Sequence, residues 1–193
     1  MNKQVICDID GQYYGLDSTY VRSIENGVPQ MLLEGAPDFI EGLIKFRGEW
    51  TPIIRLRTLF GTDISEQPKY SQLIYMNTIN GTYAFRVDKV VEIDMLLDGE
   101  FQKIPIVVNS GKTAYVSGAC SHHGRILLVV DHNKILSHDE MKYVKDSIKA
   151  VYEAEEAEKR RKEEEEARRK AEEEKAKSEA EENTEAAETI EEL

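Results

Sequence analysis

Apolar and polar positions alternate over short stretches for the first two thirds of the chain. "VICDIDGQYYGLD" is apolar up to Asp10-Gly11 and resumes at Tyr13-Tyr14. Asp-Gly between β-prone runs is a strong hairpin signal. "STYVRSIENG" predicts a helical turn capped by Ser18, then an extended piece with Val21 and Ile24 inward. "FIEGLIKFRGEWTPIIRLRTLFG" predicts a hairpin broken at Arg47-Gly48. In its second half Ile54 and Leu56 alternate with Arg55 and Arg57, the period of a half-buried strand. "SQLIYMNTINGTYAFRVDKVVEI" predicts two further strands around Asn80-Gly81, and "KIPIVVNSGKTAYVSGACSHHGRILLVVD" adds short runs split by glycines. Strands this short, with turns this frequent, predict barrels rather than a parallel α/β sheet.

Near residue 137 the period changes. Ser137 followed by Glu140 forms a capping box, flanked by Leu136 and Met141 as a hydrophobic staple. Met141, Val144, Ile148 and Val151 then share one helical face, which predicts a helix docked on the β body. Beyond Tyr152 only alanine remains apolar until Ile190. Seven Glu-first i,i+4 pairs, from Glu155–Lys159 to Glu173–Lys177, each add roughly 0.2–0.5 kcal/mol to an isolated helix. The helix is therefore expected to run on to about Lys177 and then give way to disorder, with no a/d seam for a coiled coil. Two regions are expected: a domain over residues 1–152 and a charged tail over residues 153–193.

The charge follows this division. The chain carries a net −12, and residues 153–193 hold 18 acidic against 9 basic side chains. The body is thus nearly neutral, and it lacks the basic face that nucleic acid requires. Cys7 and Cys120 lie in apolar segments outside any CxxC motif, which predicts buried free thiols and a reduced, cytoplasmic setting. The N-terminus reaches Asp8 before an apolar core of a signal peptide can form, and the longest aliphatic run, Ile126–Val130, is too short for a bilayer. No direct membrane insertion is expected.

Candidate chemistry is sparse. "SGKT" at Ser110–Thr113 resembles the end of a phosphate-binding loop, but Ile106 stands where the first glycine is required. Cys120, His122 and His123 suggest a metal site. In an extended chain, however, adjacent His122 and His123 point to opposite faces, so a hairpin tip is the reading preferred. Asp88 and Asp131 each end a "VD" strand and read as turn formers rather than paired catalytic carboxylates, with no nucleophile or base assembled around them. Trp50 is either packing or an interface anchor. No cofactor, metal or catalytic residue is assigned.

The segments "YYGLD", "VRSIE", "APDFIEGLIKFRGEWTPIIRLRTLFG", "FRVDKVVEI" and "VSGACSHHGRILLVVDHNKILSHDEM", in this order and spacing, resemble the CheW family of bacterial chemotaxis coupling proteins. The most specific matches are Phe39-Ile40-x-Gly42 with Arg47-Gly48, Pro52-Ile53-Ile54-x-Leu56-Arg57, and Val87-Asp88-x-Val90. The resemblance implies a mainly β fold of two small, interleaved, SH3-like five-stranded β-barrels, here followed by the C-terminal helix. It implies a non-enzymatic adaptor, associated with the inner face of the membrane through receptor arrays. Its partners would be the cytoplasmic tip of methyl-accepting chemoreceptors and the regulatory domain of the chemotaxis histidine kinase. By matching motif, Val21, Gly42 and Arg47 fall on receptor-binding positions and Ile24 on the kinase-binding side. The chain departs from the family where Lys45-Phe46 precede Arg47 in place of "NL", and where Arg55 stands in place of an aspartate. Two other readings stay open at this point: a scaffold whose charged tail recruits a different cytoplasmic client, and a small β-barrel enzyme using His122, His123 and Asp131.

Overall fold

Strand formation follows the period-two segments closely, and the turns between them show why. The computed structural model describes residues 3–62, 70–96, 102–103 and 115–191; Ser110–Thr113 lies outside them. Eleven strands appear in these residues: β1 (Lys3–Ile9), β2 (Gln12–Asp17), β3 (Val21–Glu25), β4 (Ile40–Phe46), β5 (Glu49–Arg55), β6 (Gln72–Thr78), β7 (Gly81–Val87), β8 (Lys89–Met95), β9 (Gln102–Lys103), β10 (Val116–His122) and β11 (Arg125–Val130). Three hairpins, β1–β2, β4–β5 and β10–β11, close through the two-residue turns Asp10-Gly11, Arg47-Gly48 and His123-Gly124. In each, both turn residues have positive φ, the type I′ geometry that matches the strand twist. The β6–β7 hairpin differs. Thr78 pairs with Gly81, so Ile79-Asn80 form the turn and Gly81, at φ +119°, opens the next strand.

The strands make two sheets. One runs β8-β1-β2-β11-β10-β9, the other β3-β6-β7-β5-β4, with one parallel pair in each. The chain lays down a hairpin of the first sheet, builds the whole of the second, and returns to complete the first. Interleaving is therefore as expected, but the first sheet has six strands rather than five. Among the described residues neither sheet has its terminal strands hydrogen-bonded to each other, so these are curled sheets without backbone closure. Each wraps its own apolar cluster: Ile6, Cys120 and Leu127 with Val91 and Leu96 in the first, and Ile44, Ile53, Leu73, Tyr75 and Ala84 in the second. Cys7 and Cys120 are buried and not joined in a disulfide, and burial, with Asp8 and Asp88 nearby, pushes the Cys7 thiol well up.

Alternation in "PIIRLRTLFG" predicts a strand through Arg57, but β5 stops at Arg55. Leu56–Phe60 forms a single-turn helix, α1, ended by Gly61 in the left-handed conformation at φ +71°. Gly61 donates its N–H back to the carbonyls of Arg57 and Thr58, a glycine C-cap. This short helix joins the sheets. Its Phe60 ring sits 4.7 Å from Tyr14 and 4.2 Å from Tyr115, both on the first sheet's side. Its Arg57 reaches Asp88 and Asp10, described below.

The turn after β2 is a 3₁₀ turn, Ser18–Tyr20, and its cap is Asp17 rather than Ser18, with the Asp17 carboxylate accepting from the Thr19 N–H at 2.9 Å. A second such turn, His132–Lys134, follows β11 and buries the His132 ring against Tyr20 at 4.4 Å. The buried Nε2 of His132 has no hydrogen-bond partner. Burial holds this imidazole below its ordinary value of 6.5, against the opposing pull of Asp131 and Asp17. The folded state thus favours the neutral ring. Stability is full above about pH 6.5 and declines as the unfolded chain takes up the proton below it, until the folded ring also protonates. Urea midpoints should therefore fall between pH 7.5 and 5.5, and His132→Phe should flatten that fall.

The capping box forms as expected: Ser137 Oγ accepts from the Glu140 N–H at 3.3 Å, and Glu140 accepts from the Ser137 N–H at 2.7 Å. The helix it starts, α2, is continuous over His138–Glu191 and so passes Lys177, where the ladder of acid–base pairs ends. Val144 is fully buried. The chain divides into two compact units, Met1–Lys145 and Asp146–Leu193. In the second unit the basic side chains pair in both directions. Arg160–Glu156, Lys162–Glu158 and Lys170–Glu166 are Glu-first, whereas Lys159–Glu163, Arg168–Glu172 and Arg169–Glu173 are reversed. Lys159, Arg160 and Lys162 each have a glutamate four residues before and four after, whereas Arg161 has Ala157 before it, so for those three cations losing one pair leaves another glutamate within reach. No helix among the described residues is long and apolar enough to cross a membrane.

Candidate functional site

The three arginines around the β4–β5 hairpin, Arg47, Arg55 and Arg57, have three different surroundings. Arg57 is structural. Its Nε lies 3.0 and 3.1 Å from the two Asp88 oxygens, and its Nη2 lies 2.9 Å from Asp88 Oδ2 and 3.0 Å from Asp10 Oδ1. Asp88 also accepts from the Asp10 N–H at 2.8 Å. The Arg57 and Asp88 side chains are only 14% and 16% exposed, so this forked, charge-assisted contact is largely shielded from water. Arg55 is half-buried and faces Arg86 in the β5–β7 register. Arg47 is exposed, at φ +53° in the turn, with its guanidinium 5.1 Å from the Phe46 ring.

That turn position is informative. A type I′ turn favours Asn, Asp or Gly at its first central residue, because a side chain with φ > 0 crowds the backbone. The local contact that arginine makes there is with the Phe46 ring, and its side chain stands exposed at the tip of the hairpin.

Gly42 sits five residues earlier, where β4 bulges against β5. It is buried, not exposed. A Cβ at Gly42 would lie 2.4 Å from the Met31 carbonyl oxygen, and φ is +143°. The backbone that approaches it is the chain's own. Residues 29–31 lie across β4, with the Leu43 carbonyl accepting from Gln30 and Met31 and the Leu43 N–H donating to Met31.

Upstream, Gly27 threads between the Leu73 and Ile44 side chains, 2.9 and 3.0 Å from where its Cβ would be. Arg86 donates to the Gly27 carbonyl at 3.0 Å, to Ser71, and to Glu41 in an ion pair. The segment after β3 thus crosses to β4 and seals the second sheet's curl. It leaves Val28 and Leu32 each 74% exposed. The sequence reading missed these two residues; their signal was the apolar run "VPQMLL", which lacks strand alternation.

The other residues singled out from the sequence fall as follows. Gly42 and Arg47 share one hairpin. Val21 and Ile24 are half-buried on β3, the strand at the opposite end of the sheet order, paired with Met76 and Ile74 of β6. Trp50 is buried, with the Lys45 ammonium 4.6 Å from its ring. Asp131 caps the 3₁₀ turn, accepting from the Asn133 N–H at 3.1 Å, and pairs with Lys134 at 3.4 Å. Both "VD" aspartates therefore hold the fold. Arg47 is an exposed cation on a rigid turn, and Val28 and Leu32 are exposed aliphatic side chains on the segment that lies along β4, features that suit contact with a partner.

A family profile described as "CheW-like domain" matches residues 3–140. A chemotaxis protein CheW of Klebsiella aerogenes is 27% identical over 146 residues, which span 76% of this chain and 88% of that protein. One from Bacillus subtilis is 23% identical over 69% of this chain and 86% of its own length. Among solved structures, the crystal structure of the scaffolding protein TtCheW from Thermoanaerobacter tengcongensis has the same fold. It superposes with a TM-score of 0.65 at 24% identity, over 72% of this chain and 94% of that one.

Proposed function

This chain belongs to the CheW-like family, and from that premise we propose how its surface performs the family's role. It is a chemotaxis coupling adaptor, one of a family of non-enzymatic scaffolds that link chemoreceptors to the chemotaxis histidine kinase.

The receptor contact is assigned to the cytoplasmic tip, at Arg47, Val21 and the rim around Gly42. Arg47 is the anchor: its fork matches a carboxylate or the free carbonyls of a helix end. Gly42 acts by positioning, because it lets residues 29–31 lie against β4, the segment that carries the exposed Val28 and Leu32. Ile24, on the terminal strand β3, is assigned to the regulatory domain of the kinase. An end strand with one unpaired edge suits a partner that covers strand edges. The adaptor would work in the cytoplasm, held at the inner face of the membrane through its receptors. Each contact is expected to bury less than about 1,600 Å², so array assembly depends on several weak contacts acting together. The observation that carries the assignment is Arg47 itself, exposed and at positive φ.

Binding of the full chain to a receptor cytoplasmic fragment, measured beside its thermal midpoint, tests the assignment. Arg47→Asn suits the turn better and should raise stability by up to about 1 kcal/mol. The same change should weaken receptor binding about five- to tenfold, since it deletes a charge-assisted contact. Lower stability with unchanged binding would reduce Arg47 to a turn residue.

A further inference from the structure

Residues at one rim of the first sheet form a cluster that the coupling role does not use. Adjacent histidines in a straight strand point apart, and on that ground the sequence reading kept His122 and His123 from acting together. The structure removes the ground. β10 ends at His122, and His123 takes a left-handed conformation at φ +48° as the first residue of the turn. The chain reverses there, and the two rings come to lie 4.2 Å apart. Both reach the same carboxylate. Glu92 Oε1 is 2.8 Å from His122 Nε2 and 3.7 Å from His123 Nε2, and the three ligand atoms all lie within 4.8 Å of one another.

From this juxtaposition we propose that Glu92, His122 and His123 form a binding site for a borderline-soft divalent cation of the Zn²⁺ class. Two imidazoles and one carboxylate are a ligand set that suits zinc, copper or nickel and suits magnesium poorly. Metal–ligand bonds of about 2.0–2.2 Å in a tetrahedron place neighbouring ligand atoms about 3.3 Å apart. The two separations from Glu92 bracket that value and the imidazole nitrogens lie within 4.8 Å of each other, so side-chain movement without a change of backbone completes the site. The burial is graded: His122 is 7% exposed, Glu92 39% and His123 71%. The buried histidine fixes one ligand, while the exposed side leaves a fourth position for water or for a donor from another protein.

The placement also gives the metal a structural effect. Glu92 lies on β8 and the histidines on β10 and its turn, and these strands are not hydrogen-bonded neighbours. Among the described residues, the Glu92–histidine contacts join β8 to the end of β10 through side chains. A bound cation would cross-link the first sheet where its backbone ladder does not.

The test is Zn²⁺ titration of the tag-free full chain by calorimetry, with thermal midpoints with and without metal and Mg²⁺ as the control. One equivalent should bind and raise the midpoint, whereas Mg²⁺ should do neither. His123→Ala and Glu92→Gln change exposed or half-exposed groups, so both variants should fold. Each should weaken Zn²⁺ binding by at least about tenfold and abolish the thermal shift. Because His122 is buried, its participation is read without mutation, from imidazole NMR signals of both rings shifting together as Zn²⁺ is added. No binding, or binding that both variants leave unchanged, would mean an adventitious ion only and would overturn the proposal. Either result leaves receptor and kinase coupling untouched.

Discussion

Asp88→Ala should lower the stability of the body by about 2–4 kcal/mol, read as a fall in the urea midpoint without a change in slope. The magnitude follows from what the carboxylate holds. Asp88 accepts two contacts from the Arg57 Nε, one from its Nη2 and one from the Asp10 N–H. Removing Asp88 leaves the largely shielded Arg57 charge with only partial compensation from the half-exposed Asp10, and that penalty exceeds the net worth of the pair. Asp10 is the contrast. Its carboxylate is 38% exposed and meets Arg57 at one distance of 3.0 Å, so Asp10→Asn, which also tolerates positive φ, should cost less than about 1 kcal/mol.

A double-mutant cycle with Arg57→Met isolates the contact. The under-compensated charge is gone in Arg57→Met/Asp88→Ala, so the double variant should be no less stable than Asp88→Ala alone, with a coupling energy of about 2 kcal/mol. Independent, additive losses would mean that the two side chains do not act as a unit. The position of the contact gives it wider reach. Asp88 sits between β7 of the second sheet and β8 of the first, Arg57 is on α1 after β5, and Asp10 is in the β1–β2 turn. One carboxylate thus ties both sheets and the bridging helix. If two faces meet two different partners, as proposed above, coupling depends on the sheets keeping one relative position.

This network was half legible in the sequence. Arg57 and Asp88 were visible as members of family motifs, and Asp88 does lie at a strand end as its "VD" reading expects, but alternation placed Arg57 on a strand face. Period two cannot register a strand that ends after Arg55; only Gly61, one helical turn later, signals the change. Hairpins were the easiest to read, because Asp10-Gly11, Arg47-Gly48 and His123-Gly124 carry their glycine at the position that type I′ requires. The same rule misplaced the β6–β7 turn by one residue, since Asn80-Gly81 matches the motif while the register centres on Ile79-Asn80. The Glu92–His122–His123 meeting was illegible for a physical reason: it depends on how far a six-stranded sheet curls, and no local pattern encodes that. The exposed pair Val28 and Leu32 went unread because their segment is held by carbonyl contacts to β4 rather than by its own periodicity.

The second large effect is expected at Gly42. Gly42→Ala should cost about 2–4 kcal/mol and Gly48→Ala only about 1 kcal/mol, although both glycines have positive φ. Gly48, at φ +88°, has open space around its missing Cβ, so alanine there meets backbone strain alone. At Gly42 the new methyl would stand 2.4 Å from the Met31 carbonyl oxygen and 3.0 Å from the Pro29 Cβ. The first of these atoms is backbone and cannot rotate away. Either β4 loses its bulge or residues 29–31 lift, and lifting breaks the hydrogen bonds that Leu43 makes with Gln30 and Met31. Amide exchange distinguishes this from general loosening: protection should fall at Leu43 and Met31 in Gly42→Ala and stay unchanged there in Gly48→Ala. Receptor binding should fall with it even under conditions where the variant is fully folded, because Val28 and Leu32 are carried by the displaced segment. Equal costs for the two alanines would mean that φ alone dictates glycine at position 42. The close crossing of residues 29–31 over β4 would then contribute nothing to the binding rim.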